Sequence, residues 1–226
     1  MIKNLLNLFF PKVCYACNGL LTDNERDICT ICRHDLPITN CHFSEDDSVE
    51  KVFYGRVEIK EATALFRFSK KGLVQQLLHN LKYKGYEKIG HVLGVWLGQE
   101  LKEANGFNTI DLVVPVPLHR KKLRKRGFNQ VALFGIEIAK ALNAEYRDDI
   151  LIKTSATTTQ VFKKRFARWK DGNAVFTLQN QTLIQGKHVL IVDDIITTGA
   201  TIEACAIILQ SANVNKISVA TMAITD

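Results

Sequence analysis

One stretch restricts this chain more than any other: Val189-Leu190-Ile191-Val192-Asp193-Asp194-Ile195-Ile196-Thr197-Thr198-Gly199-Ala200-Thr201. Four consecutive apolar residues have no polar side to show to water, so they read as a strand buried on both faces. Sheets made of such strands are parallel and covered by helices. Two carboxylates end the strand, and a Thr-Thr-Gly turn leads straight into the helical pattern of Ala200 to Leu209. In sheets of this kind ligands bind at the carboxyl ends of the strands, which is where the acids and the turn fall.

The rest of the chain agrees with that architecture. Val52 to Val57, Ala64 to Phe68, Ile110 to Val114 and Ile217 to Thr221 read as strands, while Leu73 to Leu81, Ile89 to Leu101 and Val131 to Leu142 carry apolar residues at helical spacing. Strand and helix in alternation predict an α/β fold, a mostly parallel sheet flanked by helices. With 226 residues, 46% hydrophobic and 23% charged, the chain buries a core of its own and is not disordered. No apolar run approaches the ~20 residues of a membrane span. A cytoplasmic protein is expected, with no stable membrane insertion and at most peripheral contact at the inner face of the membrane through the short apolar start Leu5 to Phe10.

The turn at the end of the long strand has the makings of a monophosphate cradle. Backbone N–H groups and the hydroxyls of Thr197, Thr198 and Thr201 surround the start of a helix, where the dipole favours an anion. Gly199 permits a close approach or a positive φ, and Ile195, Ile196 and Ala200 complete the loop. Asp193 and Asp194 suit the vicinal hydroxyls of an attached sugar, or a magnesium ion held through water. A dinucleotide fingerprint is excluded, because none of the 13 glycines lies two positions from another.

Ahead of this domain lie two close cysteine pairs, Cys14/Cys17 and Cys29/Cys32. A two-residue gap within each pair lets four thiolates converge on one ion in a tetrahedral site. The segment is poor in apolar residues, so a bound ion would supply folding energy that burial cannot. Structural zinc is the default, with iron, two disulfides or a redox pair as alternatives. Cys41, His34 and His42 read as bystanders. The acidic run Ser44-Glu45-Asp46-Asp47-Ser48 reads as a linker, dividing a metal module over 1–45 from the sheet domain over 50–226.

Charge is segregated. The formal net charge is +7, yet 119–126 alone holds six cations and no acid, and 163–170 holds five more, which leaves a mildly acidic remainder. One pyrophosphate could not use so many cations, since each added one repels its neighbours. A longer polyanion is implied, and aromatics interleaved with the cations suggest single-stranded nucleic acid. The candidate contacts are Lys82, Lys84, Tyr86, Arg120, Lys121, Lys122, Arg124, Lys125, Arg126, Phe128, Lys163, Lys164, Arg165 and Arg168. Phe162, Phe166 and Trp169 recur at i, i+4, i+7 and fit a buried helix stripe as well as a stacking surface.

The stretch from Val189 to Thr201 resembles the phosphoribosyl pyrophosphate (PRPP) loop of type I phosphoribosyltransferases. Together with the cysteine pairs, Leu81 to Gly85, Val114 to Leu118, Arg124 to Gln130 and Thr157 to Gln160, the whole chain is similar to the ComF family of competence proteins. That resemblance implies a competence-related role: binding single-stranded DNA and PRPP or a related sugar phosphate during uptake and processing of transforming DNA, beside a helicase-like competence ATPase. It also implies the alternative of a catalytically active, Mg2+- and PRPP-dependent phosphoribosyltransferase, amidophosphoribosyltransferase-like and of unknown acceptor. Asp193 and Asp194 would then be catalytic, and Pro115, Val116, Pro117, Leu118 and His119 would form the pyrophosphate loop. Relatives tend to carry Arg-x-x-Asn after the second basic segment, where this chain reads Arg168-Trp169-Lys170-Asp171-Gly172-Asn173.

Overall fold

The computed structural model describes residues 11–154 and 175–225. A short helix, α1 (Thr30–Asp35), follows the second cysteine pair. Then come β1 (Ala62–Phe68), α2 (Leu73–Tyr83), α3 (Lys88–Glu103), β2 (Leu112–Pro115), α4 (Arg120–Arg126), α5 (Ala132–Leu142), β3 (Glu145–Tyr146), β4 (Leu151–Lys153), β5 (Phe176–Leu178), β6 (His188–Ile196), α6 (Ala200–Gln210) and β7 (Lys216–Thr225).

Five strands form one sheet in the order β1-β7-β6-β2-β3, every neighbouring pair parallel; β4 and β5 make a separate antiparallel pair. The expected parallel sheet is therefore observed. Val189 to Val192 are wholly buried, as a strand covered on both faces requires. On one face lie Leu190, Val192, Ala220 and Met222 with the apolar sides of α2, α3 and α5. On the other, Val189, Ile191, Ile217 and Val219 meet α6 and residues around Val49, Phe53, Ile150 and Phe176. Leu77, Leu81, Leu93, Leu97 and Leu101 are fully buried, and each such side chain contributes about 1.5–3 kcal/mol. Helices α3 and α5 pack closely because α3 presents glycines; a Cβ on Gly94 would come within 2.6 Å of the Phe134 carbonyl oxygen.

The cysteine loops join the first of these layers. Ala16, Ile28 and Leu36 pack with the buried residues of α2 and α3, and the wholly buried Asn80 of α2 donates to the Tyr15 carbonyl at 2.8 Å. The chain then runs along the outer edge of β1, where Thr39 N–H donates to the Leu65 carbonyl and Arg67 N–H to that of Pro37.

One expected strand is not formed. Val52 to Val57 lies in a 3-10 turn, Glu50–Phe53, followed by a reversal at Gly55 with φ +67°. Val49 and Phe53 are both driven into the core, and the left-handed backbone at Gly55 turns the chain away before a strand could extend. The basic run after His119 becomes the helix α4, with no buried residue.

Candidate functional site

Strand order places the crevice. β2 leads through α5 to β3 on one side, and β6 leads through α6 to β7 on the other, so the connections diverge between β2 and β6. Such a switch point opens at the carboxyl ends of the two strands. Pro115 stands opposite Val192 in the register, which sets Val116 to His119 across from Asp193 and the turn beyond it. Pro115 and Val116 are buried, and Val116 N–H donates to the Val192 carbonyl at 2.9 Å, so both belong to the strand end. Pro117, Leu118 and His119 form the half-buried lip. His119 also caps α4, its Nδ1 accepting from the Lys121 N–H at 3.2 Å.

The two aspartates have different surroundings. Asp194 is buried; its Oδ1 receives Lys82 Nζ from the end of α2 at 2.8 Å, and its Oδ2 receives Gln130 Nε2 at 2.6 Å. Gln130 in turn accepts from Arg126, the last residue of α4, so an unbroken chain of hydrogen bonds joins the basic helix to the end of β6. Asp193 senses Lys153 of β4. Burial, and then the charge of Asp194, push its carboxyl up to about 8, while the Asp194 N–H donating to its Oδ1 at 2.8 Å pulls the other way. Burial lowers Lys153 and raises the thiol of Cys205, which lies beneath on α6.

The turn itself has the geometry of an anion cradle. Gly199 has φ +70° and no side chain caps the start of α6, an 11-residue helix, while Thr197 and Thr198 are exposed. From behind, Arg56 donates to the Thr198 carbonyl at 2.7 Å and pairs with Glu203 in the first turn of α6.

Around the crevice the cations divide. Arg120, Lys121, Lys122, Arg124 and Lys125 are exposed on α4, and Lys84 is exposed at the end of α2. Lys82, expected among the nucleic-acid contacts, reaches inward to Asp194. Tyr86 packs against Tyr15 with ring centroids 5.5 Å apart, and Phe128 is half-buried against the core. Tyr83 is the exposed ring, at 72% of its surface, with the Arg126 guanidinium 5.9 Å from its centroid. Lys163, Lys164, Arg165 and Arg168, with Phe162, Phe166, Trp169 and Thr157 to Gln160, lie outside the described residues.

Sequence reasoning did not single out Arg56, Lys153 or Glu203, and gave Gln130 no role of its own. Arg56 sits in a segment taken for a strand, and none of these residues has a local pattern announcing its partner. Only topology brings them to the crevice.

The cysteine quartet is a second site. The sulfurs of Cys14, Cys17, Cys29 and Cys32 all lie within 4.8 Å of one another, with Cys17 and Cys29 3.9 Å apart. Four thiolates on a tetrahedral ion at ~2.3 Å would stand about 3.8 Å from each other, so the donor set fits a metal. Backbone N–H groups already point at the sulfurs: Ala16 and Cys29 donate to Cys14, Gly19 to Cys17, and Cys32 to Cys29. Burial works to raise the Cys14 thiol, but its N–H donors outweigh it and bring the group down to about 7. Glu25 fastens the intervening loop by accepting from the Thr22 and Thr30 N–H groups, which hold its carboxyl down at about 2.

Residues 127–224 match the phosphoribosyl transferase domain model. The DNA utilization protein YhgH of Escherichia coli is 28% identical over 217 residues, covering 89% of this chain and 92% of its own. Competence protein F of Haemophilus influenzae is 26% identical over 63% of this chain and 64% of its own. Competence protein ComFC of Streptococcus pneumoniae is 27% identical over 68% and 64%. The likeness is to proteins named for DNA use and for competence, and with the first of them it runs along most of the chain. The matched domain holds Gln130, Asp193, Asp194 and the Thr-Thr-Gly turn, while Arg56, Lys82 and the cysteine quartet precede it. Among the described residues no helix is long and apolar enough to cross a membrane.

Proposed function

We propose that this chain is a ComF/YhgH-type protein that binds a ribose 5-phosphate group, as in PRPP, in the crevice between β2 and β6, and single-stranded DNA along α4, in the service of DNA uptake or use. The 5-phosphate sits on the Thr197–Thr201 turn, the sugar hydroxyls face Asp193 and Asp194, and a pyrophosphate lies toward Leu118, His119 and the start of α4. Asp194 is already engaged by Lys82 and Gln130, so magnesium arriving with PRPP is held chiefly by the ligand's own oxygens. The cysteine quartet holds a structural zinc ion. The names of its relatives support the DNA role, and the resemblance to the ComF family adds a helicase-like ATPase as the partner class.

One observation carries the reading: an exposed cationic helix is hydrogen-bonded through Arg126 and Gln130 to the acid that ends the central strand. Salt titration of oligonucleotide binding tests the DNA half. Log affinity should fall with log salt by about 0.7 for every phosphate neutralised. Replacing Lys121, Lys122 and Lys125 with Gln should flatten that slope; a slope unaffected by the triple variant would reject α4 as the DNA contact.

The separation of the two carboxylates favours a second reading, a working phosphoribosyltransferase. Asp194 is engaged by Lys82 and Gln130 while burial holds Asp193 up at about 8, and carboxylates in such different surroundings are found where acid–base chemistry is performed. In that reading these residues orient the sugar while charge develops on the departing pyrophosphate beside α4. Release of pyrophosphate from PRPP with candidate amine or base acceptors, lost on Asp194→Asn, would establish it; equal release by both proteins would reject it.

A further inference from the structure

We propose that Arg56 is a positioning residue for the phosphate turn, setting the peptide between Thr198 and Gly199 so that the Gly199 N–H faces the bound phosphate. The role rests on the sugar-phosphate reading above and adds to it a residue from outside the matched transferase domain.

Arg56 makes four polar contacts with three partners. Nε donates to Glu203 Oε2 at 3.0 Å and Nη2 to the same oxygen; Nη1 donates to the Val52 carbonyl at 2.9 Å and to the Thr198 carbonyl at 2.7 Å. A planar guanidinium held by a carboxylate and a neighbouring carbonyl has little freedom, so it offers the Thr198 oxygen a donor at a fixed place. In a trans peptide the C=O and the following N–H point in opposite directions. Drawing the Thr198 oxygen back toward Arg56 therefore aims the Gly199 N–H away from it, toward the open side of the turn.

The same segment holds the turn sterically. A Cβ on Gly199 would meet Val52 Cγ1 at 2.6 Å and the Phe53 ring at 3.0 Å, so the 50–56 stretch lies directly against the glycine. Glu203 neutralises Arg56, and its side chain is only 11% exposed. Arg56 thus acts on the phosphate through geometry and not as a counter-charge. A lysine would keep the charge but lacks the fork that reaches Glu203 and Thr198 together.

The test uses full-length, zinc-loaded protein with Arg56→Gln and Arg56→Lys. Calorimetry is run with ribose 5-phosphate and, separately, with pyrophosphate, whose place lies across the crevice. Both variants should bind ribose 5-phosphate at least tenfold more weakly than wild type and pyrophosphate within twofold of it. The large downfield shift of the Gly199 amide proton on phosphate binding should be lost. Arg56→Lys, which keeps a cation for Glu203, carries the test if Arg56→Gln does not fold. Wild-type affinity in Arg56→Lys would overturn the proposal by showing that charge suffices, and equal weakening of both ligands would overturn it by showing general damage. Failure of wild type to bind ribose 5-phosphate would instead remove the sugar-phosphate reading and this role with it.

Discussion

The four thiols of the cysteine quartet come from two short loops within 19 residues of chain, whereas the crevice at the sheet draws on Arg56, Lys82, Pro115 to His119, Gln130, Lys153 and Asp193 to Thr201. Spacing alone brings the thiols together, and backbone N–H groups of the same loops point at them. The crevice is assembled by strand order, and its buried acid, Asp194, is held by side chains from α2 and from the turn before α5. A knot held by the proposed metal tolerates a thin core because the ion supplies the energy. A crevice without such an ion depends on the packing of the whole domain.

The largest effect should follow from breaking the knot. Stripping the metal with a chelator, or Cys32→Ser, removes a binding free energy on the order of 10 kcal/mol from the cysteine loops. Amide exchange should then show loss of protection over residues 12–36 and along α2, where Asn80 and Leu81 support them, while β6 and β7 stay protected. Exchange that rose equally across the sheet would show that the two regions unfold as one.

Next comes the Lys82–Asp194 pair. Asp194→Asn leaves the Lys82 ammonium without its partner; because that side chain is 21% exposed, the loss should be about 2 kcal/mol in urea unfolding, less than for a fully buried pair. Asp193 should behave in the opposite sense. Its folded pKa lies near 8, above the unfolded value, so the native state holds a proton that the unfolded chain releases above pH ~4. This group's contribution therefore favours folding at low pH and is lost as pH rises toward 8. Asp193→Asn should flatten the decline in stability between pH 5 and 8 by roughly 2 kcal/mol. An unchanged decline would mean that Asp193 is ionised in the native protein. The smallest effect on stability belongs to α4: the Lys121, Lys122 and Lys125 replacements should leave the melting temperature unaltered while weakening oligonucleotide binding in low salt.

Much of this organisation was legible in the sequence because it was local. The cysteine spacing, the Val189–Val192 run and the acids followed by Thr-Thr-Gly each declare themselves within a short stretch of chain; the four sulfurs cluster, the run forms a central strand, and the acids and the turn lie at its end. The supports were not legible. Lys82 reads as one cation among many until the fold carries it 112 residues along the chain to Asp194, and Arg56 stands 142 residues from the carbonyl it holds. Val52 to Val57 misled because it is rich in β-branched and aromatic residues, yet the contacts that decide its shape, Val49 and Phe53 against the sheet, are long-range. Tyr83 and Tyr86 share one motif, and only the Tyr15 ring packed on Tyr86 determines which of them faces solvent.

Whether the turn from Asp193 to Thr201 receives a phosphorylated sugar is the claim from which the others follow. Titration calorimetry of PRPP into wild type and Thr198→Val, which removes one hydroxyl and preserves shape, measures it most directly. Loss of one hydrogen bond to a charged phosphate should weaken binding by about 1.5–3 kcal/mol, at least tenfold. Identical heats and affinities for the two proteins, or no heat from wild type, would contradict the account.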